Sequence, residues 1–414
     1  MSSKKEIVGI IVGGGPAPGI NGVISSATIE AINEGRQVVG IVGGFKRLFD
    51  GDATCAMPLT IADVSRLHTE GGSILRTSRD YPDKAREKFK VLMATLKKIG
   101  IRHLVTIGGE GTLFMANWIE KEGRGSISVA HVPKTIDNDI PLPGGVSTFG
   151  YQTARHVGTF IVSNIMEDAK TTGRWYIITT MGRHAGHLAL GIGKAAGATI
   201  TLIPEEFKAG RMPLRSIGDV IAGSVIKRLS MGRDHGVVIL AEGLTDLLDQ
   251  EELLKYESCQ LDETGRLRLS EILLGRILKI FVGQTLESLG IKMTIVDKNV
   301  GYELRAAHPI PFDIDYTRSL GYGAVRFLLR GGTGAVIVVE EGHMRPIPFV
   351  EMMDYSTGRV RVRTVDIQSI NYEVARKYMI RLEKEDFEGK ALAHLAKTVG
   401  LKPEEFRERF AHIL

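Results

Sequence analysis

Cysteine is nearly absent: the 414 residues contain two, Cys55 and Cys259. Two thiols build neither a disulfide framework nor a cysteine-rich zinc site, so a reducing compartment is expected. Long apolar runs are missing as well. After the opening Met-Ser-Ser-Lys-Lys-Glu only about seven apolar or glycine residues precede a glycine-rich turn, too few for the apolar region of a secretory signal. No later segment approaches the roughly 20 residues of a membrane-spanning helix. The protein is expected to be soluble and cytoplasmic, with no membrane partner. There is no repeat of fixed period, no low-complexity segment and no long basic stripe interleaved with aromatics. That combination argues against a nucleic-acid partner. The net charge of +5 is mild for this length and by itself suits a small anionic substrate as readily as nucleic acid.

What the chain does have is ordinary globular composition, 43% hydrophobic and 24% charged, with an excess of glycine. Several of the 49 glycines cluster directly after apolar runs, the pattern of tight strand-to-helix turns able to receive phosphate. The runs are Ile7–Val12, Val38–Val42, His103–Ile107, Ile127–Val132, Trp175–Thr180, Thr199–Ile203, Val237–Ala241, Met293–Val296 and Ala335–Val339. Helical patterns separate most of them. The first, Ile20, Val23, Ile24, Ala27 and Ala31, has 3.6-residue spacing and ends at Gly35. Such alternation predicts an α/β protein with parallel sheets covered on both faces, and the length allows two or more cores. The polar stretch Asp246 to Arg268 reads as a surface excursion before a helix over Ser270–Leu289. Residues after Lys384 read as terminal helices with charged faces.

Six places carry chemistry. Pro133-Lys134-Thr135-Ile136-Asp137-Asn138-Asp139 closes the apolar run Ser126 to Val132, so its polar groups emerge where open α/β sheets bind ligands. Asp137 and Asp139 beside Lys134 can activate a hydroxyl, hold a metal and neutralise phosphate; an Asx-rich turn is the plainer alternative. Gly13–Asn21 is a glycine-rich turn ahead of a helix, a phosphate loop or simply a tight turn. Gly108-Gly109-Glu110-Gly111-Thr112 repeats that arrangement. Glu110 there is either a hard-oxygen ligand for Mg²⁺ or a solvated acid at a helix start. Arg183, in Met181–His187, can stabilise charge on a transferring phosphoryl group, whereas His184 and His187 lack an obvious third ligand and rank as structural or substrate-lining. Gly301–Pro309 offers the Arg305 fork and the Tyr302 hydroxyl. Glu242, in Ala-Glu-Gly, can accept hydrogen bonds from sugar hydroxyls.

In this order, GGGPAPGIN, GGSILRTSR, GGEGT, PKTIDND, MGR, AEG and GYELR resemble the phosphofructokinase family, from Gly13 to Arg305 or about three quarters of the chain. The resemblance implies two doubly wound, mainly parallel-sheet domains with the active site in the cleft between them. Residues 1–145 and about 305–350 are expected to form a phosphoryl-donor domain, 146–304 and about 351–384 a sugar-phosphate domain, and 385–414 a helical tail. The implied activity is that of a glycolytic 6-phosphofructokinase acting on fructose 6-phosphate. Asp137 would take the proton from the sugar C1 hydroxyl, Thr135 would orient phosphates, and Glu110 (usually Asp in the family) and Asp139 would serve Mg²⁺. Arg183 would stabilise the transition state. Met181 and Gly182 would line the sugar site, and Glu242, Tyr302 and Arg305 would hold the sugar phosphate. Gly15, Arg79, Asp80, Gly109, Gly111 and Thr112 would line the donor site with Lys134. Arg174 matches an arginine that reaches in from a neighbouring subunit, which implies a homodimer or homotetramer. The family's second cross-subunit basic residue has no clean match; Lys292 and Lys298 are candidates.

Two positions pull the donor assignment in opposite directions. Pyrophosphate users in the family resemble this chain at Lys134, where ordinary ATP users carry glycine. They also usually carry a second acid at the position of Gly111, which would crowd and repel the α-phosphate of ATP. The combination resembles an atypical ATP-using branch, so ATP is the expected donor and pyrophosphate the alternative. An NAD- or lipid-kinase-like enzyme shares only a loop resembling GGEGT. A dinucleotide-binding oxidoreductase lacks its fingerprint here. A non-catalytic metabolite-binding protein would not need Asp137, Glu110 and Arg183 together.

Overall fold

The computed structural model describes residues 6–79, 86–207, 210–256 and 272–414. Asp80, Cys259, Ser270 and the later part of the expected polar excursion lie outside them. The chain forms two compact units, each from two stretches: Met1–Ala154 with Tyr302–Arg363, and Arg155–Gly301 with Thr364–Leu414. In chain order the strands among these residues begin with β1 (Ile7–Val12), β2 (Gln37–Ile41), β3 (Ala56–Pro58), β4 (Ile101–Gly108), β5 (Ser128–Thr135) and β6 (Phe149–Gly150). They continue with β7 (Trp175–Thr180), β8 (Ile200–Leu202), β9 (Gly236–Ala241), β10 (Ile295–Val300), β11 (Ala335–Glu340) and β12 (His343–Pro348).

The first unit is built on one sheet ordered β12-β11-β5-β4-β1-β2-β3, with β6 added to β5. Its strands are parallel except at the two rims, where β3 and β12 run antiparallel to β2 and β11. β1, β4 and β5 are almost wholly buried, as expected for strands covered on both faces. One face packs on the helices Ile20–Asn33 and Pro311–Leu329 through Ile20, Val23, Leu320 and Val325. The other carries Arg86–Ile99 and Glu110–Gly123 through Leu92, Leu96, Leu113 and Ile119. The first two helices approach closely because Gly321 has no side chain: a Cβ there would lie 2.1 Å from the Ser26 hydroxyl oxygen. Buried Asp313 accepts from the Gly150 and Thr153 amides at 2.9 and 2.8 Å and from the Thr153 hydroxyl at 2.5 Å, tying this segment to the helix Pro311–Leu329.

β5 continues through Pro133 and Lys134 to Thr135, beyond the expected end at Val132. Pro133 pairs with Gly108 on one side, while β6 supplies a ladder partner to Lys134 and Thr135 on the other. Lys134 and Thr135 therefore stand on a strand and the turn starts after them.

The second unit has a four-stranded parallel sheet ordered β10-β7-β9-β8. Its core joins sheet residues such as Ile177, Val238 and Leu240 to Ile217, Val225, Ile277 and Val282 on the helices Arg215–Ser230 and Leu274–Ser288. The same core holds Leu392, Leu395, Phe406 and Phe410 of the helices Gly389–Thr398 and Pro403–Phe410. These last helices are bolted down by the fully buried Asp219, which receives Arg409 Nη1 and Nη2 at 2.7 and 2.9 Å. No helix among the described residues is long and apolar enough to cross a membrane.

Candidate active site

In the first unit β5, β4 and β1 are neighbours, so their carboxyl ends set three loops side by side. The chain leaves β1 for β2 on one flank, and β4 lies on the other. Strand order thus reverses between β1 and β4, the switch point at which open sheets take ligands. The Gly13 amide donates to the Ile107 carbonyl at 2.9 Å and joins the first two loops. Gly19, at φ 100°, starts the helix Ile20–Asn33. Two residues on, Asn21 donates to the carbonyls of Glu70 and Gly71 and accepts from the Ile74 amide at 3.0 Å. Thr77 donates to the Gly14 carbonyl at 2.6 Å. The segment Gly71–Arg79 is thereby tethered to the first glycine loop.

The second loop starts a helix at Glu110, with Gly109 extended at its cap. Thr112 is buried against Gly108, where a Cβ would lie 2.1 Å from the Thr112 hydroxyl oxygen. Beneath it sits His131, fully buried, with ring nitrogens 2.9 Å from the Thr106 hydroxyl and 3.0 Å from the Gly108 carbonyl. Burial pushes the imidazole pKa down to about 3, so the ring is neutral. Its Nε2–H then donates to Gly108 and its Nδ1 accepts from Thr106, which holds the loop's first glycine in place.

Lys134, 3% exposed, donates from Nζ to the carbonyl of Gly15. Burial and then the positive charges of Arg305 and Arg79 push its ammonium down to about 7, while Asp137 and Asp139 pull partly the other way. Arg305 lies directly over Gly15: a Cβ on that glycine would be 1.9 Å from Nη2 of Arg305 and 3.0 Å from Nη2 of Arg79. Three cations therefore converge on one glycine of the first loop. The resemblance assigns Arg305 to the sugar phosphate, yet its guanidinium rests here beside donor-loop residues. Tyr302 is an exposed neighbour, its ring centroid 5.4 Å from Arg305 Cζ.

Beyond Lys134 the Asp137 amide donates to the Thr135 hydroxyl at 3.0 Å. Asn138 adopts a left-handed φ of 57°, and its side-chain oxygen accepts from the Thr148 amide at 3.0 Å. Arg363 reaches the same turn from a distant part of the chain. Nothing in Arg359-Val360-Arg361-Val362-Arg363 marks this arginine out from its neighbours, so sequence reading missed it. Glu110 and Asp139 offer hard oxygens on the second and third loops. Among the described residues no group of three or more His, Cys, Asp or Glu could hold a metal, at His184 and His187 or elsewhere. Two carboxylates completed by substrate phosphates is a normal Mg²⁺ set. The residues present fit a metal that arrives with the donor.

In the second unit the carboxyl ends of β10, β7 and β9 are adjacent and carry Gly301, Met181-Gly182-Arg183 and Glu242. The Gly243 amide donates to the Gly182 carbonyl at 3.2 Å, joining the last two loops. A Cβ on Gly301 would meet Met181 Cγ at 2.7 Å. Arg183 is exposed, with Nε 3.4 Å from Asp246. A pair that exposed is worth little and leaves the guanidinium ready for another anion. Arg174 does not join this group. It precedes β7, at the opposite end of a strand roughly 20 Å long.

The Phosphofructokinase family profile matches residues 7–328. The pyrophosphate--fructose 6-phosphate 1-phosphotransferase of Thermotoga maritima is 54% identical over 413 residues, 98% of this chain and 98% of its own. The protein of the same name from Naegleria fowleri is 46% identical over 417 residues, 98% of this chain and 95% of its own. An ATP-dependent 6-phosphofructokinase of Chloroflexus aurantiacus is 33% identical over 371 residues, 87% and 94% of the two chains. The crystal structure of Pichia pastoris phosphofructokinase in the T-state matches with a TM-score of 0.67 at 23% identity, a likeness of fold. It is matched over 100% of this chain and 39% of that one, so this chain spans about two fifths of the length of that structure.

Proposed function

The chain belongs to the phosphofructokinase family and is a phosphotransferase of that type, and from this premise we propose that it phosphorylates the C1 hydroxyl of fructose 6-phosphate using pyrophosphate. The observation that carries the donor assignment is the convergence of buried Lys134, Arg79 and Arg305 on Gly15. Concentrated positive charge suits a compact, highly charged donor. The two relatives named for pyrophosphate, at 54% and 46% identity against 33% for one named for ATP, support the same choice. This reverses the expectation from Gly111. Removing a repelling acid permits ATP but supplies no attraction for it, whereas Lys134 supplies attraction for phosphate. ATP remains the second reading on the strength of Gly111 alone.

Phosphoryl transfer asks the protein chiefly to position groups and stabilise charge. Asp137 takes the proton of the sugar C1 hydroxyl as that oxygen attacks, a step a placed carboxylate accelerates by roughly 10²-fold or more. Thr135, whose hydroxyl already accepts the Asp137 amide, can donate to phosphate. Lys134 neutralises the donor, and Arg183 stabilises the charge that develops on the transferred group. Glu242 accepts from sugar hydroxyls beside Met181 and Gly182. Arg174, stranded at the far end of β7, serves the sugar phosphate of another copy in a homo-oligomer. Glu110 and Asp139 would hold Mg²⁺, which lowers the charge of the bound phosphates.

Purified protein with Mg²⁺ and fructose 6-phosphate, given pyrophosphate or ATP side by side, tests the donor. Pyrophosphate should be favoured by about 100-fold or more in kcat/KM; turnover with ATP but not pyrophosphate overturns the assignment. Asp137→Ser should abolish turnover with sugar-phosphate binding retained, and a normal kcat would remove Asp137 from the base role.

A further inference from the structure

Arg363 stands 225 positions beyond Asn138, whose backbone carbonyl accepts from its Nε at 3.0 Å. Nη1 donates to the carbonyls of Val146 at 2.7 Å and Leu142 at 3.4 Å, and Nη2 donates to the side-chain oxygen of Asn138. The Arg363 amide adds a bond to the Asp139 carbonyl at 2.7 Å. The acceptors named here are neutral oxygens, so each side-chain bond carries the extra strength of a charged donor. A lysine has no planar fork and could satisfy only part of this set.

The turn so gripped needs holding. Asn138 sits at φ 57°, a conformation that costs free energy in a residue with a side chain and persists only where neighbours over-determine it. The Thr148 amide shares the Asn138 side-chain oxygen, and the Thr148 hydroxyl donates to the Thr135 carbonyl at 2.8 Å. The chain Arg363–Asn138–Thr148–Thr135 thus fixes the backbone on both sides of Asp137.

We propose that Arg363 is a positioning residue of the phosphotransfer reaction: it locks the turn at Asn138 and thereby aims the carboxylates of Asp137 and Asp139. The proposal rests on Asp137 being the base. Three variants test it, read by kcat, by sugar-phosphate affinity and by thermal unfolding. Arg363→Lys removes most of the fork. Asn138→Gly keeps the left-handed backbone at no steric cost but deletes the shared acceptor. Both should unfold cooperatively and bind fructose 6-phosphate within about threefold of the parent. An ångström-scale misplacement is costly to chemistry, so kcat should fall roughly 100-fold for Arg363→Lys and about 10-fold for Asn138→Gly. Millimolar guanidinium should restore part of the kcat of Arg363→Ala, a recovery that loss of packing alone does not give. If Arg363→Lys fails to fold, Asn138→Gly decides. A kcat within threefold of the parent in Asn138→Gly, or a loss of kcat matched by an equal loss of sugar-phosphate affinity, overturns the proposal. The base assignment fails separately, through a normal kcat in Asp137→Ser, whereas an inactive Asp137→Ser beside an unimpaired Asn138→Gly condemns only the role of Arg363.

Discussion

Binding of pyrophosphate should draw a proton onto Lys134, and the size of that uptake follows from where the side chain sits. It is 3% exposed, and Arg305 and Arg79 add positive charge, so the ammonium titrates at about 7 rather than 10.5 despite the opposing pull of Asp137 and Asp139. At about 1.4 kcal/mol per pKa unit, keeping the cation there costs roughly 5 kcal/mol. Because the folded value is depressed, that cost is absent above pH 10.5, where the amine is neutral folded or unfolded. It grows as pH falls towards 7 and is complete below. A phosphate anion beside Nζ favours the charged form and drives the value back up. At pH 8 the free protein carries about a tenth of a proton on Lys134, so binding should take up close to one; at about pH 6 the lysine is already charged and the uptake vanishes. Calorimetric titration with pyrophosphate in buffers of different ionisation enthalpy, repeated on Lys134→Met, isolates this proton. Parent minus variant should be about 0.9 at pH 8 and about 0.1 at pH 6. Equal proton counts at pH 8 would refute the reasoning, as would an uptake that grows on acidification.

Gly15→Ala places a Cβ 1.9 Å from Arg305 Nη2; the arginine must swing away, and steady-state kinetics should show the donor KM rising about tenfold with little change in melting temperature. An unchanged KM would detach Arg305 from the donor site. His131 titrates near 3 when folded and near 6.5 when unfolded, so its contribution is lost as pH falls through that window. Acid titration should therefore cost the parent about 1.4 kcal/mol per pH unit more than His131→Gln, whose amide can serve both hydrogen bonds; parallel curves would mean that the ring does not stay neutral. Asp313→Asn presents an amide NH₂ to a site that receives three donors. It should lose about 2 kcal/mol in urea unfolding, and a variant as stable as the parent would mean those bonds are not made.

Much of the fold was readable because apolar, β-branched runs stop within two residues of a glycine. β1, β4, β7 and β9 and the loops after them lie where such runs stop, since strands buried on both faces must be apolar throughout. The misreadings have physical causes. Pro133 looks like the end of a strand, yet β5 passes through it because β6 supplies a neighbour that nothing nearby in sequence announces. β12 reads His-Met-Arg-Pro-Ile-Pro, the polar, proline-bearing make-up of a rim strand. Within the candidate site, individual loops were legible and long-range geometry was not. Lys134 was visible as a phosphate partner, but its burial and the guanidinium over Gly15 depend on residues up to 305. Gly111 is a missing repulsion, and the proposed donor assignment sets those attractions above it. Arg363 lay hidden among three alternating arginines.

The way the chain threads between its two units has a consequence for its synthesis. The first unit, begun by residues 1–154, resumes only at Tyr302, and β11, which flanks β5, is complete at Glu340. At about 5–20 residues per second, the ribosome needs roughly 10–40 s to travel from residue 154 to residue 340. Throughout that interval β6 covers β5 only at Lys134 and Thr135, and the stretch at Ala130 and His131 that β11 later pairs stays an open edge of the kind that recruits other strands. The second unit waits longer still, since Phe406 and Phe410 belong to its core. Neither unit can close until late in translation, so the newborn chain, more than the finished protein, is the species that needs shielding from aggregation.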